Sequence, residues 1–112
     1  MTLCLMPGIN YEQKLELMKA VTGWNTGWVE LLQISERIWT TMRLFNIREG
    51  FTANDDQLPE RYFQNKTDGA LATKPIIDRA TMEKAKKLYY YYMGWDANGV
   101  PTAEKLAELE IG

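Results

Sequence analysis

The residues of this chain that could do chemistry are few, and histidine is absent from all 112 positions. Its absence removes the side chain that most often moves protons near neutral pH and the commonest transition-metal ligand. The single cysteine, Cys4, can neither close an internal disulfide nor build a metal site by itself. As a thiolate it is a soft ligand for iron, while among Leu3, Leu5 and Met6 it also reads as a small buried hydrophobe. Arg43, Arg48 and Arg61 carry guanidinium forks suited to phosphates or carboxylates. The plainer expectation is that Arg48 and Arg61 tie a long loop to Glu49, Asp55 or Asp56. Arg43 and Arg48 also bracket a helix end, where free carbonyls favour positive charge. Asp55 and Asp56 are hard oxygen donors, but no spaced series of further oxygen ligands accompanies them. Glu36 has no nucleophile or acid–base partner beside it and is expected to anchor the loop electrostatically. No catalytic residue is assigned.

Large aromatics are the other unusual feature. Trp24, Trp39, Trp95 and the tyrosines at positions 89–92 could line a channel, although core and interdomain packing is the simpler expectation. They do not interleave with a basic patch as a base-stacking surface requires, and the glycines do not form a phosphate-cradling loop. A net charge of -2 fits neither nucleic acid nor an anionic membrane surface as partner.

The elements that must position these residues are read from periodicity. Pro7 and Gly8 mark a turn, after which Tyr11, Leu15, Met18 and Val21 make one stripe on a helix over residues 11–21. Gly23 stops it, and Asn25 or Thr26 is expected to cap the next helix, over residues 27–45. The apolar positions of that helix, from Trp28 to Phe45, cover a broad face that suggests more than one neighbour. Residues 46–78 lack a sustained period and contain Gly50, Pro59, Gly69 and Pro75, giving a long loop that either crosses something larger or carries a function. Asp78 caps a third helix reaching Met93, with Met82, Ala85, Tyr89 and Tyr92 expected inward and Glu83 paired with Lys87. Four consecutive tyrosines point in different directions, so at least two faces of that turn should be covered. Gly94 ends the helix, Asp96 to Gly99 form a turn, and Thr102 caps a short helix ending near Leu109. The expected fold is all-α: an irregular bundle of about four helices with a long loop between the second and third, a single helical domain over residues 1–112.

A hydrophobic fraction of 46% and a charged fraction of 25% are ordinary globular values. No apolar run reaches the ~18 residues of a membrane span, and no basic, apolar leader is visible, so a cytoplasmic address is the default expectation.

Several strings occur together: Ala20-Val21-Thr22-Gly23-Trp24, Glu36-Arg37-Ile38-Trp39, and the run from Arg43 through Phe45-Asn46-Ile47-Arg48-Glu49-Gly50-Phe51. They are followed in order by Asp55 to Arg61, Tyr90 to Asp96, and Gly99 to Leu106. This arrangement closely resembles the carboxy-terminal part of the tungsten-containing aldehyde:ferredoxin oxidoreductase family. The resemblance implies a larger enzyme that oxidises aldehydes to carboxylates at a tungsten or molybdenum bis-pterin and passes electrons through a 4Fe-4S cluster to ferredoxin. Three cluster cysteines would lie upstream and the fourth in an Asp-x-x-Gly-Leu-Cys string, whose last two residues match Leu3 and Cys4; Thr2 stands where the family has glycine. Leu3 and Cys4 are therefore the implied cofactor-binding residues, with Cys4 the implied fourth cluster ligand in the intact enzyme. The acid–base residues and most of the pterin site would also lie upstream. The chain alone is then expected to hold no cofactor and to be inactive, with upstream pterin and cluster domains, or a subunit carrying them, as partners. Self-association is the expected behaviour of its uncovered aromatic faces. The alternative is a noncatalytic helical structural or interaction module with Cys4 free.

Overall fold

The computed structural model describes residues 8–65, 67–69, 72 and 75–112. Leu3, Cys4 and Pro7 lie outside the described residues. Four α-helices lie among the described residues: α1 (Tyr11–Thr22), α2 (Trp28–Arg48), α3 (Arg79–Met93) and α4 (Ala103–Glu108). A single 3-10 turn (Glu60–Tyr62) interrupts the long connection between α2 and α3. Among the described residues there is no sheet, only one antiparallel bridge between Trp95 and Pro101. The fold is all-α.

Local chemistry explains the helix ends. Asn10 and Gln13 form a reciprocal capping box at the start of α1, and Gly23, at φ 71°, closes it with its N–H on the Lys19 carbonyl. Asp78 accepts from the Thr81 amide at the start of α3, and Thr102 accepts from the Lys105 amide at the start of α4. Gly94, at φ 68°, ends α3. The start of α2 departs from expectation. Its N-cap is Gly27, without a side-chain cap. Thr26, one residue before the cap, donates its hydroxyl to Glu30 at 2.6 Å and so ties the incoming chain to the first turn of the helix.

The distribution of burial is the distinctive property of this fold. The buried apolar residues among those described are Tyr90, Trp95 and Leu109, while Thr26, Thr40, Arg43 and Lys105 are buried although polar or charged. On α2 the buried side chains are Thr40 and Arg43, whereas Leu32, Ile38, Trp39, Met42 and Phe45 are exposed. The apolar face of α2 is thus turned away from the rest of the chain. Tyr11 packs its ring 5.2 Å from that of Trp28, and it is still exposed, as is Val21. The inward line of α3 is offset by one residue from the expected stripe. Tyr90 is buried and Met82, Lys86 and Met93 are half-buried, while Tyr89, Tyr91 and Tyr92 are exposed, so a single tyrosine of the run is enclosed. Lys86 takes an inward position because its aliphatic stem can lie along apolar surface while its ammonium reaches the Ala53 carbonyl and Glu83. Glu83 therefore pairs with Lys86 at 3.0 Å, and the expected partner Lys87 is not used.

The molecule is open for its size. A compact monomer of 13.0 kDa exposes about 6,300 Å², and this chain exposes 8752 Å². Its radius of gyration is 18.2 Å, against roughly 13 Å expected for a compact chain of this length.

Candidate functional site

The best-organised cluster joins the middle of α2 to the long loop, α3 and the turn after α3. Two short turns present its parts. Asp55 accepts from the backbone and side chain of Thr52, at 2.7 and 3.0 Å. Those bonds, the backbone one first, hold its carboxyl below the usual carboxylate range and close the turn that carries Asp56. Asp96 likewise accepts from the amides of Asn98 and Val100, at 2.8 and 2.9 Å, and so shapes the turn that offers the Gly99 carbonyl.

Arg43 sits between these turns, 7% exposed. Its Nε donates to the Gly99 carbonyl at 2.8 Å, and its Nη1 donates to Asp56 Oδ1 at 2.9 Å. Its Nη2 lies 2.7 Å from Asp56 Oδ2, an ion-pair contact without a second hydrogen bond. The Tyr90 hydroxyl donates to the same Asp56 oxygen. The guanidinium also lies 5.9 Å from the ring of Tyr90 and 5.3 Å from that of Trp95, within cation–π range. Burial pushes the Asp56 carboxyl up, but the hydrogen bonds from Arg43 and Tyr90 together outweigh it and hold the group below its ordinary range. Burial first, and then the Asp56 carboxylate, push Tyr90 up to about 12, so it remains a neutral donor. Gly99 is required here: at φ 72° a side chain is strained, and a Cβ would come 2.8 Å from Tyr90 Cζ and against Arg43 Nη2.

A second polar tie joins α2 to α4. Lys105, 9% exposed, donates to Glu36 at 2.8 Å and to Glu108 at 3.2 Å. The Glu36 bond is the main reason its pKa is raised. Arg37 Nε donates to the Leu109 carbonyl at 2.7 Å. Glu36 therefore anchors the carboxy-terminal helix, where sequence reasoning expected it to anchor the loop.

The structure redistributes the other sequence candidates. Arg43, expected at a helix end, is the partner of Asp56, and Arg48 pairs with its neighbour Glu49 at 3.3 Å in an exposed position. Arg61 lies over the ring of Tyr62. The aromatics do not converge on one channel: Trp95 packs against Tyr89 and Tyr90, whereas Trp24 and Trp39 are exposed. Beside Asp56, Tyr89, Tyr90, Trp95, Met82 and Lys86 border an open groove of about 460 Å³. Sequence reasoning missed Gly99 and Lys105; the Asp96-to-Gly99 turn was a signal for the first, and nothing marked the second.

This arrangement can position chain segments, but it has no reacting group free to act. The buried guanidinium of Arg43 is committed to Asp56 and Gly99 through Nε and Nη1, while its Nη2 sits in the Asp56 ion pair without a hydrogen-bond partner among the described residues. Among the described residues no three His, Cys, Asp or Glu side chains come together as a metal-holding group. Leu3 and Cys4, the implied cofactor contacts, lie outside the described residues, and Cys4 would bring one thiolate where a 4Fe-4S cluster needs a full ligand set. No helix among the described residues is long and apolar enough to cross a membrane.

Comparison with known proteins gives a consistent assignment. The family model described as aldehyde ferredoxin oxidoreductase, domains 2 and 3, matches residues 1–111. The tungsten-containing aldehyde ferredoxin oxidoreductase of Pyrococcus furiosus is 32% identical over 97% of this chain, which spans 18% of that protein. Its counterpart in Thermococcus kodakarensis is 30% identical, again over 97% of this chain and 18% of its own length. The Pyrococcus horikoshii protein is 28% identical over 93% of this chain. The chain therefore spans under a fifth of the length of the relatives it matches.

Proposed function

The chain belongs to the aldehyde ferredoxin oxidoreductase family, and from that premise we propose that it forms a helical wall of such an enzyme and is not catalytic alone. It is then a single helical domain over residues 1–112, equivalent to the end of the family's carboxy-terminal domain. The observation that carries this reading is the burial pattern of α2, whose buried side chains are Thr40 and Arg43 while Leu32, Ile38, Trp39, Met42 and Phe45 stay exposed. A helix stabilised by a solvent-facing polar surface has the opposite pattern.

In the assembled enzyme a bound tungsten or molybdenum bis-pterin would supply the oxidation of an aldehyde to its carboxylate, and a 4Fe-4S cluster would carry the electrons to ferredoxin. Cys4 is the residue of this chain we assign to that cluster, as its fourth thiolate ligand, with Leu3 shielding it from water. The donor chemistry fits a single ligand and no more. Arg43, Asp56, Tyr90 and Gly99 hold the long loop, α3 and the turn after α3 in fixed register on α2, so that the wall is preformed. A thiolate kept available for iron suits a reducing compartment, and we place the enzyme in the cytoplasm.

Production of the chain together with a polypeptide carrying the upstream pterin and cluster domains tests this reading. Copurification with iron and an aldehyde-dependent reduction of ferredoxin are the expected results. Cys4→Ser should retain the complex while lowering its iron content and its visible absorbance. Absence of any complex, or iron content indifferent to Cys4, would refute the assignment.

A further inference from the structure

We infer that the exposed apolar ridge of α2, formed by Leu32, Ile38, Trp39, Met42 and Phe45, is the surface on which the remaining domains of the oxidoreductase dock. The inference rests on the reading above and adds to it which face makes the contact.

At 100° per residue these side chains fall within one arc of about 140° around the helix. No charged residue falls inside that arc between Leu31 and Asn46. The one hydroxyl within it, that of Ser35, donates to the Leu31 carbonyl at 2.8 Å and needs no water. Thr40 points to the other side of the helix, and Arg43, at the edge of the arc, turns its guanidinium to Asp56 and Gly99 within the chain. The ridge is therefore dispensable to the internal ties of this fold. It is also half or more exposed at every position, from 50% at Leu32 to 57% at Trp39.

Three observations favour the rest of the enzyme as occupant over a second copy or a small ligand. The relatives carry more than four-fifths of their length outside the matched segment, so a large partner surface exists in the family. The chain exposes about 2,400 Å² more than a compact monomer of its mass, as a segment does whose surface is completed by further protein, and the ridge is part of that surplus. The ridge also runs into a groove of about 190 Å³ in which Trp39 and Met42 meet Tyr89 and Trp95 beside the Arg43–Asp56 pair. Such a groove accepts one apolar anchor from a partner, the arrangement that concentrates binding energy in interfaces. The partner face is therefore apolar along the ridge, with an aliphatic or aromatic side chain reaching toward Trp95 beside the Arg43–Asp56 pair.

The test uses the whole chain coexpressed with the upstream domains. Leu32→Lys and Ile38→Lys each place an ammonium on the ridge away from the Arg43–Asp56 cluster, and Val29→Lys places one on α2 outside the arc. The ridge variants should lower the amount of complex recovered by about tenfold or more, the double variant further, and Val29→Lys should not. A variant-free readout accompanies them: peroxide oxidation of Met42, followed by peptide mapping, should slow by about tenfold in the complex relative to the chain alone. If the wild-type chain forms the complex while ridge variants bind equally and Met42 oxidises at an unchanged rate, the docking face is elsewhere and this inference is overturned alone. If the wild-type chain forms no complex, the enzyme reading falls and the docking surface with it. A dimer that protects Met42 equally with and without the upstream domains would assign the ridge to a second copy and overturn the inference.

Discussion

Replacing Asp56 with alanine removes the counter-charge of a guanidinium that is 7% exposed, leaving it the Gly99 carbonyl and two aromatic faces. Breaking such a pair from one side costs ~3–5 kcal/mol when both charges are sealed from water. Asp56 is 32% exposed at its side chain, so water partly re-solvates Arg43 after truncation, while the Tyr90 hydroxyl loses its acceptor at a cost of ~1 kcal/mol. The expected net loss is about 3 kcal/mol, more than a hundredfold in the folded-to-unfolded ratio. Asp56→Asn keeps one carbonyl oxygen for Arg43 or Tyr90 and should lose roughly half as much. Arg43→Met with Asp56→Leu removes both charges and should cost less than Asp56→Ala alone. Urea unfolding followed by tryptophan fluorescence measures each, since Trp95 packs against the pair. The pH dependence has a definite sign. A carboxyl depressed in the folded state adds stability above its unfolded value of ~3.9 and loses it as pH falls through the lower folded value. The wild type should therefore weaken below pH ~4, and Asp56→Asn should weaken less, with the depressed Asp55 and Asp78 still titrating in both. If Asp56→Ala stays within ~0.5 kcal/mol of wild type, the cluster does not hold the loop to α2.

Gly99→Ala should destabilise well beyond Gly50→Ala, because both sit at positive φ but only Gly99 would press a Cβ on Arg43 and Tyr90; urea midpoints within ~0.3 kcal/mol of each other would contradict this. With Tyr90 raised to about 12, stability should be complete below pH ~10 and fall as pH rises from about 10 to 12. In Tyr90→Phe that part of the alkaline loss should vanish, leaving the fall due to Lys105, which has the same sign. Lys105→Met should cost ~1 kcal/mol, since Glu36 and Glu108 are 40% and 61% exposed; faster amide exchange at Leu109 and Ile111 would register it, and unchanged protection would count against the tie. Thr40 is fully buried with its hydroxyl unpartnered among the described residues, so Thr40→Val should stabilise by up to ~1 kcal/mol, and a lower urea midpoint would refute that.

Helix limits were legible because caps and stops are local. Gly23, Asp78, Gly94 and Thr102 act within a few residues of themselves, and each stands where its chemistry predicts, whereas sequence reasoning missed the Asn10 cap and α2 runs to Arg48, past the expected end at Phe45. The site was less legible because its partners are set by a loop with no period. Arg43 finds Asp56 through the Thr52–Asp55 turn, and neither residue carries a mark of the other. The phase of α3 was misread for a physical reason: Lys86 shares the inward line with Met82, Tyr90 and Met93, and a charged residue on a stripe usually excludes it. The sequence also located the broad apolar face of α2 without revealing that it faces outward. Periodicity identifies which residues lie together, and the neighbour that covers them need not be in the same chain.

That separation has an energetic consequence. Buried ion pairs contribute little net stability, because desolvation offsets their attraction, but they penalise every arrangement that leaves a charge unpaired. The Arg43–Asp56 and Lys105–Glu36 ties thus select one geometry for a chain whose buried apolar residues are few. The apolar area that would normally stabilise a domain is displayed on the opposite face, where it acts only on assembly. Binding of upstream domains to the folded form alone then stabilises that form by mass action. The losses expected for Asp56→Ala and Gly99→Ala should therefore raise the apparent dissociation constant of the complex, even though neither residue is on the docking ridge. A variant of either residue that is destabilised in urea but binds with wild-type affinity would show that the docked conformation does not require the Arg43–Asp56 cluster.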